Sequence, residues 1–196
     1  MKYLVVLTII IGTFISCQRE SSQVLDKSHT INLIKKFIPE NIYKKSERIS
    51  FINADKKIKE FRISYNQFKS TDLQNNNVVK DVYTLREQDN SMFYINITAQ
   101  PELYNNSVYE RLYVELLTTL NQGLTASIII DQNGNTWFNQ KEKEITLLGK
   151  TFYDVFVGEI SKEDIIACKI IYYNSNEGIV GFTDENGDLW VLNKIH

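Results

Sequence analysis

Two cysteines, two histidines and two prolines in 196 residues rule out several kinds of chemistry at the start. A disulfide-stapled secreted domain needs a dense, even set of cysteines, and this chain has none. The histidines stand at 29 and 196, in a polar stretch near the start and at the last position, neither of them held for acid–base work or metal binding. The eight glycines form no phosphate-cradling loop and no dinucleotide fingerprint. So little proline and glycine also argues against a low-complexity chain. Neither sign of charge dominates: 22 Lys and Arg against 24 Asp and Glu give a net −2. The lysine pairs at 35–36, 44–45 and 56–57 are diluted by acids or apolar neighbours, so no stripe neutralises phosphates and nucleic acid is not an expected partner. No catalytic residue, metal ligand or cofactor is assigned.

What the chain does have is aromatic and aliphatic alternation. Eleven Tyr and ten Phe favour strands. Residues 58–66 place Phe61, Ile63 and Tyr65 on one face and Glu60, Arg62 and Ser64 on the other. Residues 78–86 and 92–99 alternate likewise, around a turn at Gln88-Asp89-Asn90, and predict a meander. Residues 48–53 predict a short strand before the turn Asn53-Ala54-Asp55. A short helix is expected over 31–38, capped by Ser28 or Thr30 and ended by Pro39.

Residues 107–121 read as a helix, because apolar side chains fall at 108, 109, 112, 113, 116, 117 and 120 and Gly123 follows as a stop. The alternation of Leu112, Val114 and Leu116 leaves a strand open. The C-terminal third predicts strands at 127–130, 136–138, 145–148, 152–157, 165–173, 179–182 and 189–192. Asn-Gly turns divide them at 133–134 and 186–187, where both central residues accept positive φ. Cys168 alternates with Ile166 and Ile170 and reads as a buried, inert thiol. The fold class is mainly β, an antiparallel sheet of hairpins with one or two helices, or α+β if 107–121 is helical.

Lys2, an apolar run over 3–15, then Ser16 and Cys17 have the form of a secretory signal, and the run is short for a permanent span. Phe14-Ile15-Ser16-Cys17 resembles the bacterial lipobox, with Phe in place of the usual Leu. The resemblance implies a cleaved signal at 1–16, a lipid on Cys17, a tether over 17–29 and one globular domain over 30–196. A flexible tether of that length spans roughly 20 Å. Gln18 after the cysteine, where Asp would resemble an inner-membrane retention signal, implies the outer membrane. The neutral stretch after it implies the periplasmic face.

Two segments echo each other: Asp131-x-Asn133-Gly134-x-x-Trp137 and Asp184-x-Asn186-Gly187-x-x-Trp190. Their oxygen-rich turns could suggest calcium, but the glycine falls fourth, not sixth, and plain hairpins account for them. Leu148-Gly149-Lys150-Thr151-Phe152-Tyr153-Asp154-Val155, Ile171-Tyr172-Tyr173, Gly178-Ile179-Val180-Gly181-Phe182, Asn186-Gly187 and Trp190 together resemble the tail of uncharacterised envelope lipoproteins of the Bacteroidota type. That resemblance implies a provenance and no activity.

The expected function is a lipid-anchored, non-catalytic binding or structural module whose partners are the membrane, through its lipid, and an envelope protein or small ligand. Trp137 and Trp190 are the candidate ligand or partner surface. An alternative is a carrier for an apolar ligand, with the curved sheet enclosing it and a helix as lid. A third is a hydrolase using two carboxylates, drawn from Glu142, Glu144, Asp184 and Glu185.

Overall fold

A computed structural model describes residues 32–71, 77–88, 93–104, 107–118, 124–136, 139–159, 170–184 and 186–196. Eleven strands form one antiparallel sheet: β1 (Arg48–Ile52), β2 (Ile58–Thr71), β3 (Asn77–Glu87), β4 (Phe93–Tyr104), β5 (Ser107–Thr118), β6 (Leu124–Asp131), β7 (Gln140–Leu147), β8 (Lys150–Glu159), β9 (Ile170–Asn174), β10 (Gly178–Thr183) and β11 (Leu189–Ile195). Their order across the sheet is β6-β5-β4-β3-β2-β1-β11-β10-β9-β8-β7. The first and last strands therefore pair at the middle, with Phe51 opposite Leu192 and Ile52 opposite Val191.

The pleat sorts side chains as the alternation predicts. Phe61, Ile63, Tyr83, Leu85, Ile95 and Ile97 are buried on the concave face, while Arg62, Ser64 and Arg86 are exposed on the other. Three interruptions of register increase the curl: at Ser50/Phe51 against β11, at Ile179/Gly181 against β9 and at Leu116/Leu117 against β6. The curl brings β6 to β8. A Cβ on Gly158 would lie 2.3 Å from the Ser127 carbonyl oxygen, so only glycine fits that crossing. Among the described residues no ladder joins the two edge strands, β6 and β7. The side chain of Asn139 fastens them instead, its amide donating to Ser127 O (3.0 Å) and its Oδ1 accepting from Ile129 N–H (3.1 Å). The sheet is curved and open, with a stitched seam.

Several expectations change. Residues 107–118 are the strand β5, not a helix. Leu112, Val114 and Leu116 are buried inward, while Tyr113 and Leu117 are half-buried on the outer face. Apolar residues on both faces of a central strand come in adjacent pairs every four positions, which imitates a helical stripe. The helix over 31–38 is a four-residue 3-10 turn, Ile34–Phe37. Ile38 before Pro39 is extended, as proline demands of its predecessor. Proline then starts rather than ends a helix, α1 (Glu40–Tyr43). β7 reaches back to Gln140 through Lys141, Glu142, Lys143 and Glu144, an edge strand exposed on both faces with no apolar alternation to reveal it. Thr136 makes a single bridge to Ile130. The caps at 28 and 30, the turn at 89–90, residues 137–138 and Cys168 lie outside the described residues.

Candidate functional site

The concave face encloses an apolar interior. Phe51, Phe61 and Phe182 form its centre, each pair edge to face at 5.1–5.8 Å between ring centroids. Such triads add stability beyond the area they bury, about 0.5–1.5 kcal/mol per pair. Into this interior the chain inserts its own segment 34–43. Ile34, Ile38 and Tyr43 are buried there, and Phe37 packs edge to face on Phe156 at 6.4 Å.

Few polar contacts hold this plug. The Glu110 carboxylate, itself buried on β5, accepts from Asn32 N–H (3.0 Å) and Ile34 N–H (2.8 Å). Tyr173 Oη donates to Phe37 O (2.5 Å), and Ile179 N–H donates to Tyr43 Oη (2.8 Å). Burial pushes both hydroxyls well above the ordinary tyrosine range. Gly178 and Gly134 make room: a Cβ on the first would stand 1.9 Å from Tyr43 Oη, and one on the second 2.9 Å from Phe37 Cζ.

The two ends of the interior differ. At the plugged end, Asp81 is buried and accepts from Tyr65 Oη (2.9 Å) and Gln67 Nε2 (3.0 Å). Lys44, just after the plug, lies 3.0 Å from Glu40 and over the Tyr65 ring. Tyr83 is fully buried beside Tyr65 and Tyr43. At the opposite end the Lys59 ammonium, mostly buried, sits 3.5 Å from both Glu87 and Asp184 and 4.6 Å above the Trp190 ring. Trp190 Nε1 in turn donates to Asp184 Oδ2 (2.8 Å). One cation between two carboxylates, roofed by an indole, closes this end.

The twin turns are superposable in their bonding. Asn133 and Asn135 N–H donate to Asp131 Oδ1, both at 2.8 Å, and Asn186 and Asp188 N–H donate to Asp184 Oδ1 at 3.0 and 3.1 Å. Each carboxylate organises its own turn. Partial burial pulls the Asp131 pKa up, but the donors from Asn135, Asn133 and Gly134 outweigh it and hold it below the ordinary value.

Trp190 faces inward and is buried, not presented at a surface. Trp137 and Cys17 lie outside the described residues. Of the four candidate acids, Glu142 and Glu144 are exposed on the edge strand, Asp184 is tied to Lys59 and Trp190, and Glu185 is outside the described residues. Burial raises the pKa of Glu115, which lies on the outer face of β5. Among the described residues no group of His, Cys, Asp and Glu is gathered for a metal. An open recess of about 460 Å³ is lined by Lys45, Glu47, Arg48, Glu60 and His196, whose mixed signs favour neither anion nor cation.

The helical pattern before Pro39 pointed to a short helix against the sheet or closing a cavity, and the plug stands there in two short pieces; its carboxylate holder is what sequence reading missed. Glu110 lies 76 residues from Ile34 and gave no signal. No family model, no curated protein and no solved structure matches this chain.

Proposed function

We propose that the chain is a cell-envelope protein anchored by lipid on Cys17, at the outer membrane facing the periplasm, and that its curled sheet receives the apolar part of a ligand. Segment 34–43 is the displaceable stopper in this reading. The observation that carries it is the interior itself: an apolar concave face on an open sheet, filled by Ile34, Phe37 and Ile38 from a segment with only two four-residue helical pieces. A segment this short has little helical stability of its own, and packing holds it in place. Side chains that enter an apolar interior on a short strap held by packing stand where an acyl chain or similar group would lie. The opposite end is sealed by the Lys59 cluster, so exchange would run through the plugged end.

The test is saturable uptake of an environment-sensitive apolar dye by the full chain, displaced by a long-chain fatty acid. Uptake is expected to rise in Glu110→Gln, which loosens the plug. Absence of saturable uptake in both proteins would overturn the carrier reading. It would favour the second reading, a closed binding or structural scaffold, which the packed triad of Phe51, Phe61 and Phe182 supports. The anchor is tested separately. Cys17→Ser is expected to move the protein out of the membrane fraction, and unchanged association would refute the lipid.

A further inference from the structure

The concave face is not apolar along its whole length. On β2 and β3 the layer of Phe61, Ile63 and Leu85 gives way, toward the plugged end, to Tyr65 opposite Tyr83 and then Gln67 opposite Asp81. Two of these polar side chains lack the partner their burial calls for. Asp81 is only 2% exposed, yet the donors to its carboxylate are neutral, Tyr65 Oη at 2.9 Å and Gln67 Nε2 at 3.0 Å. A buried carboxylate ordinarily stands beside a cation. Among the described residues no ion pair reaches this one. Tyr83 is fully buried, and its hydroxyl has no hydrogen-bond partner among the described residues. Leaving a buried hydroxyl unmatched is costly.

Charge gives the missing partner its sign. Burial first, and then the carboxylates of Glu40 and Asp81, hold the Tyr83 hydroxyl well above the ordinary tyrosine range, so the field there is negative. The Tyr65 hydroxyl feels the same two carboxylates. The rings lie together, Tyr65 to Tyr83 at 4.9 Å and Tyr43 to Tyr83 at 5.7 Å between centroids. Phenol faces beside carboxylates suit an ammonium. The chain already places one here: Lys44 Nζ stands 5.3 Å from the Tyr65 ring centroid and 3.0 Å from Glu40. Glu40 opens α1 and Lys44 caps it, so a displaced plug takes them away as a neutral pair. Asp81, Tyr65, Tyr83 and Gln67 stay on the sheet, and the layer left at the opened end keeps its negative charge.

We infer that this layer is the head-group subsite of the proposed receptacle, and that the ligand is a long-chain amine, an ammonium attached directly to an apolar body. The apolar part would lie where Ile34, Phe37 and Ile38 now pack. The ammonium would donate to the Asp81 carboxylate and to Tyr83 Oη, with the face of the Tyr65 ring beside it. A carboxylate or phosphate in that place would meet Asp81 and be repelled, so a fatty acid binds less tightly than an amine of the same length. The inference rests on the reading of segment 34–43 as a displaceable stopper.

The experiment is a competition on the full chain. The environment-sensitive dye is displaced by dodecylamine, dodecanol or dodecanoate, which share an apolar chain and differ in the head. At neutral pH the amine is protonated, as a lysine is. Dodecylamine is expected to displace the dye at a severalfold lower concentration than dodecanol, with dodecanoate the weakest. Asp81→Asn is expected to abolish the preference for amine over alcohol. Tyr83→Phe should lower that preference severalfold and leave the urea midpoint unchanged or higher, because the hydroxyl it deletes has no partner among the described residues. A hydroxyl that serves the fold alone would lower the midpoint and spare the preference, and that result overturns the subsite. So does equal displacement by the three compounds, or a preference that survives undiminished in either variant, as general attraction to a net-negative chain would. In each of these cases the receptacle still stands. Should Asp81→Asn fail to fold, Tyr83→Phe decides alone. Absence of saturable dye uptake in every protein overturns the receptacle and the subsite with it.

Discussion

At Gly178 the plug packs directly on the sheet, and two requirements meet there. Its φ of +79° suits glycine, and a Cβ would overlap the Tyr43 hydroxyl. Backbone strain of this kind costs about 1–3 kcal/mol before the overlap is counted. Gly178→Ala is therefore expected to destabilise the domain by more than Tyr43→Phe, which leaves the Ile179 N–H without its acceptor at a cost of about 1–3 kcal/mol. Urea denaturation of both variants checks the order, and equal midpoints would show that the plug yields freely. Residues whose partners are near in sequence were the readable ones. Asp131 and Asp184 announced their turns because the backbone donors that shape each turn lie within four positions of the carboxylate. Trp190 lies buried under the Lys59 ammonium, a partner remote in sequence that no local pattern announces.

The plug is the element whose behaviour decides the proposed function. Glu110 accepts two backbone donors with two oxygens, so Glu110→Gln turns one acceptor into a donor facing a donor. Loss of such a bond costs about 1–3 kcal/mol. The expected outcome is local: amides of 34–43 exchange faster with deuterium while those of β3, β4 and β5 keep their protection. Uniform loss of protection would mean the plug is part of the global core and not a separable strap. Strands of the meander, 48–53, 58–66, 78–86 and 92–99, were legible because one face is wet and the other dry. β5 and the first half of β7 were not, for opposite reasons. β5 is apolar on both faces, and β7 is charged on both.

The whole molecule carries an unusual load of buried phenols. Burial is the first cause of raised pKa values at Tyr43, Tyr65, Tyr83, Tyr113, Tyr172 and Tyr173, with Tyr65 pushed up to about 12 by burial and by its bond to Asp81. In the unfolded chain these groups titrate near about 10. Above that pH the unfolded state sheds protons that the folded state keeps, so stability falls as pH rises. The contribution is complete below the unfolded value and is lost as pH climbs toward the folded values. The tyrosinate absorbance of these shielded groups is expected to appear together with loss of near-ultraviolet circular dichroism, in one cooperative step. Smooth ionisation of all tyrosines with the fold intact would contradict the burial described.

The pairing of β1 with β11 also dictates an order of assembly. Every other neighbouring pair of strands is consecutive in sequence, so 48–131 and 140–195 are each a meander of sequence-adjacent ladders. Their union requires Ile52 to find Val191, and bringing together residues so far apart carries the largest loop-closure entropy in the molecule. Non-local pairings of this kind set the pace of folding. The two meanders are thus the early pieces, and the interior, whose aromatic centre joins Phe51 and Phe61 of one to Phe182 of the other, exists only once the central seam has zipped.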